Sequence, residues 1–217
     1  MSDSMGELVT PAGTRLNALL IHAGQPPLDP GQANRFEAYL SLILRWNARI
    51  NLTAIRDEDG ILSRHFVESI VCARALPSGI ATLLDYGSGA GFPGIPIAIC
   101  RPEISVTLAE SKGKKAAFLQ ESIRTLDIAA KIHSKRAELL HDPFDCVTLR
   151  AVDCMELAVQ AASRLVRSGG WLALMTTSAD VSRLQDAAGS SFTWTKTVPL
   201  PGEDKLLALG ERRKLST

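Results

Sequence analysis

The sequence predicts an α/β protein: a doubly wound, mostly parallel sheet that ends in an antiparallel hairpin and is preceded by a helical extension. Three observations carry this. Apolar residues recur at helical steps from Thr14 to about Leu76. After Pro77-Ser78-Gly79, short apolar runs alternate with helical patterns, the signature of βαβ units. The last two apolar runs stand too close together for a helical crossover.

In the first segment Phe36, Tyr39, Leu40, Ile43, Leu44 and Asn47 share one helical face. Pro26-Pro27-Leu28-Asp29-Pro30 breaks the chain before that helix, with Asp29 as cap and Pro30 at the first position. Arg56-Asp57-Glu58-Asp59-Gly60 breaks it again. Helices are therefore predicted near 14–24, 30–48 and 60–76. Strands follow at Thr82-Leu83-Leu84-Asp85, Ser105-Val106-Thr107-Leu108-Ala109, Ala130-Lys131-Ile132-His133, Cys146-Val147-Thr148-Leu149 and Gly170-Trp171-Leu172-Ala173-Leu174-Met175. Helices are expected near 94–101, 112–127, 155–167 and 180–188, the second with Leu119, Ile123 and Leu126 on one face. Phe192 to Val198 and Lys205 to Leu209 are strands joined by the six residues Pro199 to Asp204, so they pair antiparallel. Five parallel strands closed by such a hairpin form the Rossmann-like architecture of class I S-adenosylmethionine methyltransferases, whereas a nicotinamide domain usually continues with parallel crossovers. Residues 1–78 are read as an N-terminal helical extension packed on a main domain of residues 79–217.

A chain of 217 residues, 46% hydrophobic, can bury one substantial core. Lys+Arg 24 against Asp+Glu 23 leaves a net charge of +1, so any basic surface must be local. Cys72, Cys100, Cys146 and Cys154 lie far apart, mostly in apolar stretches, and read as reduced core residues; no zinc-ligand spacing occurs, and no metal is expected. Met1-Ser2-Asp3-Ser4-Met5-Gly6-Glu7 is acidic where a signal peptide needs a basic region, and no apolar run reaches membrane-spanning length. A cytoplasmic monomer without a membrane partner is the expectation.

The chemistry concentrates in Asp85-Tyr86-Gly87-Ser88-Gly89-Ala90-Gly91-Phe92-Pro93-Gly94, directly after the first strand. Glycines there let the backbone turn sharply and approach a ligand closely. Gly89-x-Gly91-x-x-Gly94 matches the dinucleotide fingerprint, but Asp85 would repel a pyrophosphate and attract the sulfonium and amino group of S-adenosylmethionine. The alternative is that Asp85 caps the turn by bonding backbone N–H groups. Glu110, after the second strand, is placed to accept both ribose hydroxyls of an adenosyl ligand, S-adenosylmethionine or NAD alike; the alternative is a helix-capping glutamate before Ser111-Lys112-Gly113. Glu138 lies on a loop at the carboxyl edge of the sheet, where an adenine would rest, though alone it reads as a surface charge; Arg150 follows the fourth strand at that same edge, with a solvated arginine as the alternative.

With these segments in view the sequence resembles the glucose-inhibited division protein B family, also called the small-subunit ribosomal RNA methyltransferase G family. The likeness is carried by Arg45-Trp46-Asn47-x-x-Ile50-Asn51-Leu52-Thr53, Arg64-His65-Phe66-x-x-Ser69-Ile70-Val71, Asp85-x-Gly87-Ser88-Gly89-Ala90-Gly91-Phe92-Pro93-Gly94-Ile95-Pro96, Lys114-Lys115-x-x-Phe118-Leu119 and Arg150-Ala151. The resemblance implies S-adenosylmethionine-dependent methylation of N7 of a guanine in 16S ribosomal RNA, the partner being that RNA or the small ribosomal subunit. It places cofactor contacts at Gly87, Phe92, Ala137, Glu138 and Arg150, to which Asp85, Gly89 and Glu110 are added from the residues themselves. Asn51, Arg64, His65 and Ser69 match positions near the acceptor pocket, although a lone histidine such as His65 is more often structural. No catalytic residue is assigned: guanine N7 carries an in-plane lone pair, so positioning in a dry site suffices.

Two places depart from the family pattern: Thr176-Thr177-Ser178 stands where a lysine is usual, and Asp204-Lys205 where Arg-His is usual. Each loses a cation that RNA could use, and Lys205 substitutes only as a point charge. Basic clusters at Lys112 to Lys115, Lys131 to Arg136 and Arg212 to Lys214, with Arg101 nearby, are candidates for RNA phosphates, Lys114 and Lys115 among them, and Lys205 is a further candidate outside the clusters. Two other classes stay open: a small NAD(P)-dependent oxidoreductase, and a non-catalytic RNA-binding protein retaining the fold.

Overall fold

The computed structural model describes residues 11–214; residues 1–7, read above for a targeting signal, lie outside them. The first helices are α1 (Ala12–His22) and α2 (Pro30–Asn47). α2 starts where its sequence dictates. The Asp29 carboxylate accepts the Gln32 N–H at 2.9 Å, the Gln32 side chain accepts the Asp29 N–H at 3.4 Å, and Pro30 occupies the first turn. The segment expected near 60–76 begins as α3 (Glu58–Gly60), passes through a π-helix (Ile61–Val67) and ends as α4 (Glu68–Ala75). Asp57 caps it, its carboxylate accepting the Gly60 N–H at 2.6 Å.

The sheet contains β1 (Thr82–Tyr86), β2 (Ser105–Ala109), β3 (Ala130–His133), β4 (Phe144–Arg150), β5 (Val166–Thr177), β6 (Phe192–Pro199) and β7 (Lys205–Arg212), in the order β3-β2-β1-β4-β5-β7-β6. β1 to β5 pair in parallel, and β7 lies antiparallel between β5 and β6. The chain reverses strand order between β1 and β4, which opens a crevice above the carboxyl edge at β1. Three expectations are corrected. β5 extends back to Val166, which pairs with Phe144, so the helix predicted to reach 167 stops at Arg164. β7 runs on past Leu209 to Arg212. Cys154 is exposed rather than core, at the start of α7, while Cys72 and Cys146 are buried.

Side chains alternate across the sheet with a period of two. Leu83, Val106, Leu108, Cys146, Ala173, Met175, Leu207 and Leu209 face the layer built by the N-terminal helices with α5 (Gly94–Cys100) and α6 (Gly113–Leu126). Leu84, Val147, Leu149, Leu172, Leu174 and Ala208 face α7 (Met155–Arg164) and α8 (Val181–Ala188). The first layer is joined to the rest by aromatic rings. Tyr39 of α2 stacks on Phe66 with centroids 5.2 Å apart and reaches Phe92 at 5.6 Å. Its hydroxyl donates to the Ala90 carbonyl at 2.5 Å, so α2 grips the glycine loop. Gly91, at φ +90°, has no alternative residue there: a Cβ would stand 2.6 Å from Ile95 Cδ1 and 2.7 Å from the Tyr39 hydroxyl.

Tyr39→Phe keeps the ring stack and removes only this buried hydrogen bond. Urea unfolding of the variant is expected to show a loss of about 0.5–1.5 kcal/mol; an unchanged midpoint would mean that the hydroxyl does not hold the loop.

Candidate functional site

At the end of β1 the chain turns through the glycine loop into α5, and Asp85 decides the shape of that turn. The residue is 1% exposed. Its Oδ2 accepts the Gly94 N–H at 3.2 Å and its Oδ1 the Thr148 hydroxyl at 3.0 Å. Gly94 must lack a side chain, because a Cβ would meet Leu108 Cδ2 at 2.3 Å and Asp85 Oδ2 at 2.6 Å. Burial pushes the Asp85 carboxyl up from its ordinary 3.8 to about 6, against the hydrogen bonds from Ser88, Thr148 and Gly94 and the charge of Arg150. This corrects the expectation that Asp85 faces the ligand: the carboxylate is turned sideways into backbone and Thr148, the capping alternative.

Above the loop lies a cleft of about 330 Å³, lined by Gly87 to Ala90, by Glu110, Lys112 and Lys115 beyond β2, and by Arg150 to Asp153 beyond β4. Glu110 accepts the Gly89 N–H at 3.1 Å and the Lys112 N–H at 2.7 Å. These bonds use one lone pair on each oxygen and leave others for hydroxyl donors. Phe92 and His65 also line this cleft, their rings stacked at 4.6 Å.

A second cavity of about 460 Å³ adjoins the first, and Arg150, His65 and Ala151 border both. The Arg150 guanidinium forms the wall between them. Its Nη2 shares its two N–H groups among the Arg64 carbonyl at 2.9 Å, Glu68 Oε2 at 2.8 Å and His65 Nδ1 at 3.0 Å, and the guanidinium lies 5.8 Å from the centroid of the Phe92 ring. Because a guanidinium only donates, Nδ1 of His65 is unprotonated, and Nε2 carries the proton toward Thr53 Oγ1 at 2.8 Å. Burial first, then the cations Arg150, Lys205 and Arg64, hold the His65 pKa down at about 3. The imidazole is neutral and its one lone pair is occupied.

The residues singled out from sequence fall into groups. Gly87, Gly89, Phe92, Glu110, Arg150 and Lys115 line the cleft. Ala137 and Glu138 do not line it. Ala137 is buried in a short helical turn (Ala137–Leu139), and Glu138 is exposed beside Tyr86, whose hydroxyl holds the Glu138 carboxyl below its usual range. Arg64 and His65 line the second cavity, but Ser69 is buried behind Arg150, 3.4 Å from its guanidinium, and Asn51 is corrected to a surface position, bonded to Arg56. Arg101 is likewise corrected: it follows α5 at the opposite edge of the sheet, pairs with Glu103 and donates to the Ala73, Leu76 and Pro77 carbonyls. Lys205 borders the second cavity with its ammonium on Glu68, and Lys114 is exposed at the start of α6. Sequence reasoning missed Glu68, Thr53 and Thr148. The available signal for Glu68 was a charge inside the apolar run Phe66-Val67-Glu68-Ser69-Ile70-Val71. Among the described residues no helix is long and apolar enough to cross a membrane, and no group of three or more His, Cys, Asp or Glu could hold a metal ion.

Comparison with known proteins bears on this geometry. The family model described as rRNA small subunit methyltransferase G matches residues 32–198. Ribosomal RNA small subunit methyltransferase G of Xanthomonas euvesicatoria pv. vesicatoria (strain 85-10) is 42% identical over 151 residues, 68% of this chain and 70% of the relative. The protein of the same name from Roseiflexus sp. (strain RS-1) is 48% identical over 141 residues, 62% of this chain and 59% of its own length. Two solved structures share the fold. A T. thermophilus 16S rRNA N2 methyltransferase in complex with AdoMet and guanosine aligns with a TM-score of 0.54 at 18% identity, covering 70% of this chain and 40% of that one. The ribosomal protein L11 methylase of Lactobacillus delbrueckii subsp. bulgaricus aligns at 0.57 and 11% identity, covering 72% and 80%. The sheet with its terminal hairpin is that of class I S-adenosylmethionine methyltransferases. The matched span runs from α2 into β6 and so takes in the glycine loop, Arg150, the first cleft and all of the second cavity's lining except Leu200 and Lys205: the chain belongs to the rRNA small subunit methyltransferase G family.

Proposed function

We propose that this protein methylates N7 of a guanine in 16S ribosomal RNA, with S-adenosylmethionine in the first cleft and the guanine in the second cavity. The observation that carries the choice of N7 is that, among the described residues, no free base stands where the cavities meet. Arg150 occupies the His65 lone pair, Arg150 and Lys205 take the two Glu68 oxygens, and Asp85 is turned into the backbone. A nucleophile that must lose a proton would need one of these groups; guanine N7 loses none. When bound, S-adenosylmethionine supplies a methyl group on a sulfonium.

The chain's own residues bind and orient. The open lone pairs of Glu110 suit a ribose diol, Gly87 and Gly89 bring backbone close to the ligand, and Phe92 closes the apolar side under His65. Asp85 acts on this cleft through the loop that it anchors. Lys112, Lys114 and Lys115, near the cleft at the start of α6, together with exposed Arg64, suit RNA phosphates. Residues 1–78 are best read as an extension that builds the site, since Tyr39 holds the glycine loop and Thr53 holds His65; deleting residues 1–55 with methylation retained would remove that role. The nicotinamide oxidoreductase is not favoured, nor is a non-catalytic RNA binder: relatives at 42–48% identity carry the methyltransferase name.

Calorimetry should show binding of S-adenosylmethionine and none of NAD. Incubation of 16S ribosomal RNA, or of small subunits, with radiolabelled S-adenosylmethionine should leave label at an aniline-labile site, the mark of 7-methylguanosine. Label without aniline cleavage would move the methyl off N7, and no label on either substrate would sink the reading.

Asp85 yields a separate expectation for stability. Its folded pKa of about 6 lies above its ordinary 3.8, so the folded state holds the proton more tightly; the resulting stability is complete below pH 3.8 and lost as pH rises through 6. Asp85→Asn can still accept from Gly94 and can donate to Thr148, so its urea midpoint should gain on the unsubstituted protein between those pH values and level off above them. Asp85→Ala leaves the Gly94 N–H without its partner and should lose about 1–3 kcal/mol throughout. A pH-independent difference for Asp85→Asn would disprove the buried titration.

A further inference from the structure

Glu68 is the charge that the binding scheme above leaves without a task. It is the first residue of α4, 1% exposed, and each of its oxygens takes one cation: Oε2 the Arg150 guanidinium at 2.8 Å, Oε1 the Lys205 ammonium at 2.5 Å. The three partners come from three separate places, the helical layer, the end of β4 and the start of β7. Gathering three charges in a largely dry place costs desolvation that well-packed apolar residues would avoid, so stability is a poor reason for the trio.

Its effect is geometric. Arg150 is the wall between the two cavities, and Lys205 borders the second with Thr176 and Thr177, where the family pattern has its lysine. An arginine at the mouth of two cavities has many rotamers open to it. Glu68, the Arg64 carbonyl and His65 Nδ1 together hold it in one, and Arg150 in turn sets the His65 tautomer. Without the carboxylate, two like charges would face each other across the space that Glu68 fills, and the wall would open.

We propose that Glu68 is a positioning residue for methyl transfer: by bridging Arg150 and Lys205 it fixes the wall between cofactor cleft and second cavity, and with it the place of the acceptor guanine. This rests on the methyl-transfer reading given above. The π-helical turn just before α4 supports it, because Ile61–Val67 sets Arg64 and His65 beside the same wall that Glu68 holds from the next helix.

The experiment compares the unsubstituted protein with Glu68→Gln, read by the nitrogen-15 NMR signals of His65 and by steady-state methylation of 16S ribosomal RNA. The unsubstituted protein should show His65 protonated at Nε2 alone. Glu68→Gln should show a mixture of tautomers and a fall in kcat of roughly tenfold or more, with S-adenosylmethionine affinity changing far less. Lys205→Met, which leaves the Arg150 arm intact, should keep the tautomer and raise KM for RNA. If Glu68→Gln does not fold, Glu68→Asp serves instead: one methylene shorter, it reaches one cation and not both. A folded Glu68 variant with unchanged kcat, or one that loses kcat while the His65 signals stay put, would overturn the proposal. An unsubstituted protein that transfers no methyl group overturns the functional reading, and the proposal with it, before any variant is made.

Discussion

A carboxylate taken out of water at the end of β1 governs what stands above the sheet. Asp85 holds the first N–H of α5 and the Thr148 hydroxyl of the neighbouring strand, so loop, helix and two strands meet on one side chain. The close fit at Gly94 follows, and so does the path of the loop past Tyr39. A buried carboxylate with a raised pKa is costly, and it persists because the alternative is an orphaned backbone donor under a ligand cleft.

The same edge is crowded with cations, and the protein manages them by pairing. Arg183 is held by Glu156 and Asp180 at the rim of the second cavity, while Arg150 and Lys205 share Glu68 deeper in. Exposed pairs of the first kind contribute little to stability. The inner trio differs because both Glu68 oxygens are committed. Its acid comes from the helical layer and its bases from the sheet, so the N-terminal helices supply charge to the site as well as apolar cover.

Much of this could be read from the residues before any coordinates. β2 and β3 lie where their apolar runs placed them, and the short link between β6 and β7 forced the antiparallel end of the sheet. Glu110 was legible because its place one residue beyond β2 sets it on the carboxyl edge whatever its rotamer. Asp85 was legible in position but not in direction, since a strand end does not say whether a side chain points to ligand or to the following helix. Arg101 and Asn51 failed for a related reason: clusters of charge carry no record of the carbonyls and neighbours that will use them. The π-helix stayed hidden because Ile61, Leu62, Phe66, Val67 and Ile70 keep an apolar spacing that an ordinary helix satisfies equally well. The start of β5 stayed hidden because the pattern carried the preceding helix on to 167 and began the strand only at Gly170, past Ser168 and Gly169.

That π-helix bears on how the chain tolerates a change of length. In a uniform α-helix, losing one residue rotates everything beyond it by about 100°. A π-helical turn closes its hydrogen bonds one residue further along the chain, so it holds in reserve the slack that such a loss would consume. A single-residue deletion between Ile61 and Val67 could tighten this stretch to ordinary helix while α4 keeps its phase on the sheet and Glu68 its aim. The cost would fall on Arg64 and His65, which would swing around the axis. The segment thus separates two kinds of drift: the scaffold can absorb a gap here, and the pocket cannot.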